Sequence, residues 1–182
     1  MWYILAIAAC VAVDQAVKFW IVANLELYES APLIPGIVEL MYIQNTGGGF
    51  SILTGQTWLL TAVTVVLMGM IGWIMCKKWY PHPLAMWTLT LVLGGGIGNL
   101  IDRVRLGYVV DMFNFQFMNY PVFNVADILV VCGAIGFAAY YLLLDDKVQK
   151  ACAAAEKTEE TQAEEPDEGK DDHGTDHSAD NA

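Results

Sequence analysis

Four apolar runs, each long enough to cross a bilayer, decide most of what this chain can fold into. A hydrocarbon core of ~30 Å needs about 20 helical residues at ~1.5 Å each. Met1 to about Val22, Trp58 to Cys76, Leu84 to about Ile101 and Ile128 to Leu144 supply such runs. With 56% hydrophobic residues and a mean hydropathy of +0.44, the chain is too apolar for a soluble domain of its 182 residues. The expected fold class is therefore an all-α membrane protein with four transmembrane helices.

Charge sets the orientation. The loop after the second run carries Lys77 and Lys78, which marks it as cytoplasmic. The connection from Asn24 to Thr57 has Glu26, Glu29 and Glu39 and no Lys or Arg, which places it outside. Both termini are then cytoplasmic. Within that outer connection, Ile37 to Ile43 is apolar and partly β-branched between Pro35-Gly36 and Asn45, so the first outer loop is expected to carry a small extracytoplasmic β element. Asn45 to Ser51 follows, with three consecutive glycines that suit either a flexible turn or a close approach to a ligand. The net charge of −11 is concentrated at one end, since residues 145–182 hold 13 of the 20 acidic residues and 4 of the 9 basic ones. Such a composition cannot bury enough apolar surface to offset its ordering entropy. The division expected is a transmembrane domain over 1–144 and a disordered, acidic, cytoplasmic tail over 145–182.

Charges at bilayer depth are costly and usually mark function or tight internal pairing. Asp14 and Lys18 interrupt the first run at i and i+4, a spacing that favours a structural ion pair. Asn99, Asp102 and Arg103 gather at the outer end of one face of the third helix. Asp111 follows Val109-Val110, and Asp127 closes Phe123-Asn124-Val125-Ala126-Asp127 at the mouth of the fourth run. Asn124, three residues earlier, would share the face of Asp127 on a helical turn.

Two carboxylates in a poorly hydrated site cannot both ionise easily and tend to share a proton. The ionised member can take a proton from water while the protonated member polarises a carbonyl, which is what peptide hydrolysis without a covalent intermediate requires. Other hydrolytic arrangements are poorly supplied. There is no His-Glu-x-x-His motif, and the histidines are His82, His173 and His177, the last two in the acidic tail. Cys10, Cys76, Cys132 and Cys152 lack disulfide or metal-ligand spacing. Ile7-Ala8-Ala9-Cys10 is similar to a lipid-attachment box, but no charged n-region precedes it. From spacing alone, structural pairing of both aspartates with Arg103 and Arg105 is as well supported as catalysis. A polar transport path through Asp14, Lys18 and Asp102 also stays open. A presenilin-type protease does not fit, because Tyr-Asp and Gly-x-Gly-Asp are both absent and Gly96-Ile97-Gly98 runs into Asn99.

Five blocks in order resemble the lipoprotein signal peptidases, the bacterial type II family. They are Asp14-Gln15-x-x-Lys18, Asn45 to Ser51, Gly95 to Arg103, Val109-Val110-Asp111 and Phe123-Asn124-x-Ala126-Asp127, spanning about residues 14 to 130. The resemblance implies an intramembrane aspartyl endopeptidase of a bacterial inner membrane, with its active site at the outer, periplasmic boundary. Such enzymes cut prolipoproteins just before the diacylglyceryl-modified cysteine and are inhibited by globomycin. It also implies that Asp111 and Asp127 are catalytic, with Asp14, Lys18, Asn45, Asn99, Arg103 and Asn124 in support. No metal, cofactor or nucleic acid is expected; the partners are prolipoprotein substrates and membrane lipid, and a monomer is the expected state. Two features depart from the family: Gly48-Gly49 stands where Ala-Ala is common, and the acidic tail exceeds the family core.

Overall fold

The computed structural model describes residues 2–47, 55–144 and 146. Gly48 to Ser51, Cys152, His173, His177 and the acidic tail apart from Asp146 lie outside them, and so does the expectation that the tail is disordered.

Four helices are long and apolar enough to cross a membrane: α1 (Trp2–Asn24), α2 (Thr57–Lys77), α3 (Pro83–Leu106) and α4 (Val125–Leu143). Their boundaries follow local chemistry. Pro83 opens α3 behind the His82 N-cap, where a missing N–H costs nothing. Gly107, at φ 80°, closes it in the left-handed conformation and gives its N–H to the carbonyl of Arg103. This tight cap turns the chain directly into a strand. As a result Asp102, Arg103 and Asp111 stay at the same end of the bundle.

That strand departs from the sequence-based expectation. The β element is a three-stranded antiparallel sheet of β1 (Ser30–Ile34), β2 (Val38–Asn45) and β3 (Val109–Phe115) in the order β1-β2-β3. The first connection supplies only two of its strands. β3 comes from the segment between α3 and α4, whose aromatic content suggested an interfacial loop. Val109, Val110, Asp111 and Met112 are all buried, so this stretch lacks the alternation that signals a half-exposed strand. Ile21 of α1 packs with Tyr42 of β2 and with Val110 and Met112 of β3, seating the sheet on the end of the helices.

Helix α3 is the hub, in contact with α1, α2 and α4. Its glycines thin it on several sides and not along a single stripe. A Cβ on Gly94 would lie 2.6 Å from Cys10 Cβ on α1, one on Gly95 would strike the Ala126 carbonyl oxygen on α4, and one on Gly96 would meet the Met68 sulfur on α2. Gly98 leaves room for the Asp14 carboxylate, 2.5 Å from where its Cβ would stand. Backbone cannot yield as a side chain can, so Gly95→Ala should push α4 away from α3 and cost about 1–3 kcal/mol. Gly69→Ala on α2, where nothing lies within 4 Å, is the control and should cost nothing. Thermal unfolding of both variants in detergent measures the difference; equal midpoints would overturn the packing argument.

Candidate active site

Four carboxylates meet where the helices join the sheet: the buried Asp14, Asp102 and Asp111 and, beside them at the first turn of α4, the half-buried Asp127. They divide into two pairs by what neutralises them. Lys18 Nζ lies 2.9 Å from Asp14 Oδ2 and 2.9 Å from Asp102 Oδ2 and donates its third bond to Asn99 Oδ1 at 2.8 Å. All three ammonium hydrogens are thereby used. Gln15 Nε2 donates to Asp102 Oδ1 at 2.9 Å and to the Gly98 carbonyl at 3.2 Å, and the Val110 N–H reaches Asp102 Oδ2 at 3.2 Å. The Ala126 N–H donates to Asp14 Oδ1 at 2.9 Å, using an N–H that the first turn of a helix leaves unpaired. One lysine thus ties α1 to α3, and its two carboxylates extend the tie to β3 and α4.

Asp111 and Asp127 are held differently, by amides. Asn124 Nδ2 donates to Asp111 Oδ1 at 2.6 Å, and Asn45 Nδ2 donates to Asp111 Oδ2 at 2.8 Å. Asn99 Nδ2 donates to Asp127 Oδ1 at 2.8 Å. Asn124 and Asp127 form a capping box: the Asp127 N–H donates to Asn124 Oδ1 at 3.0 Å, and the Asn124 N–H to Asp127 Oδ2 at 3.2 Å. Asn124 Nδ2 also reaches Asn99 Oδ1 at 3.1 Å. A chain therefore runs from Asp111 through Asn124 and Asn99 to Asp127. Lys18 makes its one hydrogen bond to that chain at the Asn99 oxygen.

Among the described residues, both salt bridges belong to Lys18. Among the described residues, neither Arg103 nor Arg105 lies within ion-pair distance of an aspartate, so the pairing weighed from spacing is not seen there. Arg103 faces Asp127, Asp111 and Asp102 electrostatically, and its buried Nε has no hydrogen-bond partner among the described residues. Arg105 is exposed and points into a groove between α1 and α3. The polar path weighed for transport runs through the same clamp. Asp14 is fully buried and Lys18 nearly so, each with its bonding capacity engaged, which is a clamp and not a path.

Asp111 is 2% exposed, and burial pushes its carboxyl up to about 7, with the charge of Asp127 adding to the rise. The hydrogen bonds from Asn45 and Asn124 and the charge of Lys18 pull the other way. A group near 7 exchanges its proton under ordinary conditions, as general acid–base work demands.

The structure brings together all eight residues carried over by motif: Asp14, Lys18, Asn45, Asn99, Arg103, Asp111, Asn124 and Asp127. Two partners were missing from that set. Gln15 and Asp102 complete the clamp on Lys18, yet both stand inside the quoted motif blocks beside residues that were named. Asp102 also sits three residues after Asn99 on α3. That spacing was the available signal.

The sequence profile of the family described as signal peptidase (SPase) II matches residues 6–143. The chain is 45% identical over 136 residues to a lipoprotein signal peptidase of Streptococcus pyogenes serotype M2 (strain MGAS10270), covering 73% of this chain and 88% of that protein. A second, from Streptococcus pyogenes serotype M1, is 44% identical over the same length. Among solved structures, a bacterial membrane enzyme determined by the in meso method at 2.3 Å superposes with a TM-score of 0.73 at 27% identity, over 81% of this chain and 90% of that one. The profile spans α2, α3, α4 and all of α1 beyond its first turn, both sheet-forming connections and each residue of the polar network, and on that basis the chain belongs to the signal peptidase II family.

Proposed function

We propose that this protein removes signal peptides from membrane prolipoproteins, cutting just before the diacylglyceryl-modified cysteine, with Asp111 and Asp127 as a water-activating dyad. One observation carries the reading. Of the four carboxylates, Asp14 and Asp102 share the Lys18 ammonium, whereas Asp111 and Asp127 are oriented by amides and carry no ion pair among the described residues.

The roles follow from position. Asp127 sits in the first turn of α4, where main-chain N–H groups favour negative charge, and it takes the proton of the attacking water. Asp111, protonated below about 7, hydrogen-bonds the scissile carbonyl and stabilises the oxygen as charge develops. As the tetrahedral intermediate collapses, the proton on Asp127 passes to the leaving amine and the dyad returns to its starting state. Arg103 Nε, buried and unpartnered among the described residues, is free to hold a substrate carbonyl beside the cut. The site lies where the apolar helices end and the sheet begins. A lipid-modified cysteine fits that depth, because its acyl chains stay in hydrocarbon while its peptide bond reaches the dyad. In this reading the protein is a multi-pass enzyme of a bacterial inner membrane, works as a monomer and faces its substrate from the outer side.

The direct test is incubation of purified protein in detergent with a diacylglyceryl-modified prolipoprotein and mass spectrometry of the products. A mature fragment beginning at the modified cysteine is the expected result. Cleavage at another bond, or none by a folded protein, would overturn the proposal. A finer test is the pH profile of kcat/KM. Because Asp111 acts while protonated, activity should fall as pH rises through about 7. Asn45→Ala removes a bond that favours the ionised form, so its alkaline limb should move to higher pH. A limb that stays put or moves down would exclude Asp111 as the acid.

A further inference from the structure

A second recess lies on the other side of the Lys18 clamp, away from the dyad. It is a groove of about 460 Å³ between α1 and the last turn of α3, within the ~300–1,000 Å³ typical of small-molecule sites. Its composition is that of an amphiphile's mould. Phe19 and Val22 on α1 and Leu106 on α3 form apolar walls, and these side chains are also exposed on the outside of the bundle, 76%, 46% and 42% respectively. The groove therefore opens sideways into the same hydrocarbon that surrounds the helices. At its upper end stands Arg105, exposed and without a hydrogen bond or ion pair among the described residues.

The remaining charged lining groups are already committed. Lys18 faces both Asp102, which lines the groove, and Asp14 behind it, so its single charge is fully committed inside the wall. Arg105 is then the cation that a ligand would meet. A guanidinium presents five donors in a planar fork suited to the paired oxygens of a phosphate. The cap of α3 does not occupy them, since the Arg103 carbonyl is taken by the Gly107 N–H. An apolar trough open to lipid, ending in one free guanidinium at interfacial depth, matches a molecule with a phosphodiester head and an acyl chain.

We propose that this groove is a glycerophospholipid site, in which Arg105 holds the phosphodiester of a lipid from the surrounding leaflet and Phe19, Val22 and Leu106 line one of its acyl chains. The bound lipid packs against the outer wall of the clamp that positions β3, so it seals that clamp from water without entering the dyad. The site is independent of the peptidase reaction. It would stand even if the cleavage assignment failed.

The test is native mass spectrometry of the purified full-length chain with three probes: dioleoyl phosphatidylglycerol, dioleoylglycerol, which lacks the phosphate, and inorganic phosphate, which lacks the chains. Wild type should retain one phosphatidylglycerol, and Arg105→Gln should retain it about tenfold more weakly, the loss expected for one charged hydrogen-bonding partner. Ala16→Trp, which places a large side chain in the groove from an exposed position of α1, should also displace it. Matching thermal unfolding profiles certify that both variants fold. Equal retention by wild type and Arg105→Gln would overturn the proposal, as would equal retention of dioleoylglycerol. Adducts of inorganic phosphate as strong as those of the lipid would make this a free-anion site and also overturn it. A raised KM for prolipoprotein in Arg105→Gln with lipid retention unchanged would assign the groove to substrate instead.

Discussion

Asp111→Asn and Asp127→Asn should each lower prolipoprotein cleavage by roughly 10²- to 10⁴-fold or more, the range for loss of a general acid or base, while both variants still insert and fold. On the proposed mechanism the two losses should not add, because a dyad that works as a pair is left by either change with nothing to exchange. Asp111→Asn is the sharper test. Asn keeps the shape of a carboxyl that is 2% exposed and bonded to Asn45 and Asn124, yet it cannot supply a proton to a developing oxyanion as an acid does. Single-turnover cleavage measured against matched thermal midpoints separates chemistry from folding. Activity within tenfold of wild type in either variant would remove the dyad and leave Asp102 as the carboxylate to examine.

Lys18→Met should be the most damaging change to stability. The lysine lies 2.9 Å from each of two buried carboxylates, so its removal leaves Asp14 and Asp102 facing each other's charge in a poorly hydrated interior. Breaking a buried pair from one side costs about 3–5 kcal/mol. Two carboxylates depend on this single ammonium, which places the expectation at the upper end. The loss should be relieved in part by Lys18→Met combined with Asp102→Asn, since one of the orphaned charges is then gone. Unfolding of the single and double variants in detergent gives the comparison; a double variant no more stable than the single would mean that Asp102 is not held by Lys18. Activity should fall alongside stability, because the Val110 N–H is bonded to Asp102 one residue before Asp111.

The same network shows which parts of the protein were legible in its sequence. Helix length and apolarity are local properties, so the four spans could be placed within a turn of their observed ends, except that α3 runs five residues past Ile101 to Leu106. The Asp14–Lys18 pair could be read from an i, i+4 spacing and the closeness of Asn124 to Asp127 from i, i+3, although the capping box between them was not. Both are contacts made within one helical turn. β3 could not be read that way. A strand buried on both faces has no alternating pattern, and Val109 to Met112 owes its conformation to β2 and Ile21, which are distant in sequence. The glycines of α3 were visible as small residues, but only packing shows that neighbouring ones face different helices.

The sequence by itself determined that this chain crosses a membrane, that it carries carboxylates where charge is costly, and which family motifs those carboxylates occupy. Tertiary structure alone decided which carboxylates are neutralised and which are not. Lys18 finds Asp102 on another helix, Asn45 crosses from β2 to Asp111, and Asn99 bridges to Asp127 on α4. Electrostatic pairing acts over a few ångströms of space without regard to chain separation, so the division between the two carboxylates that share Lys18 and the two held by amides exists only once the helices have packed.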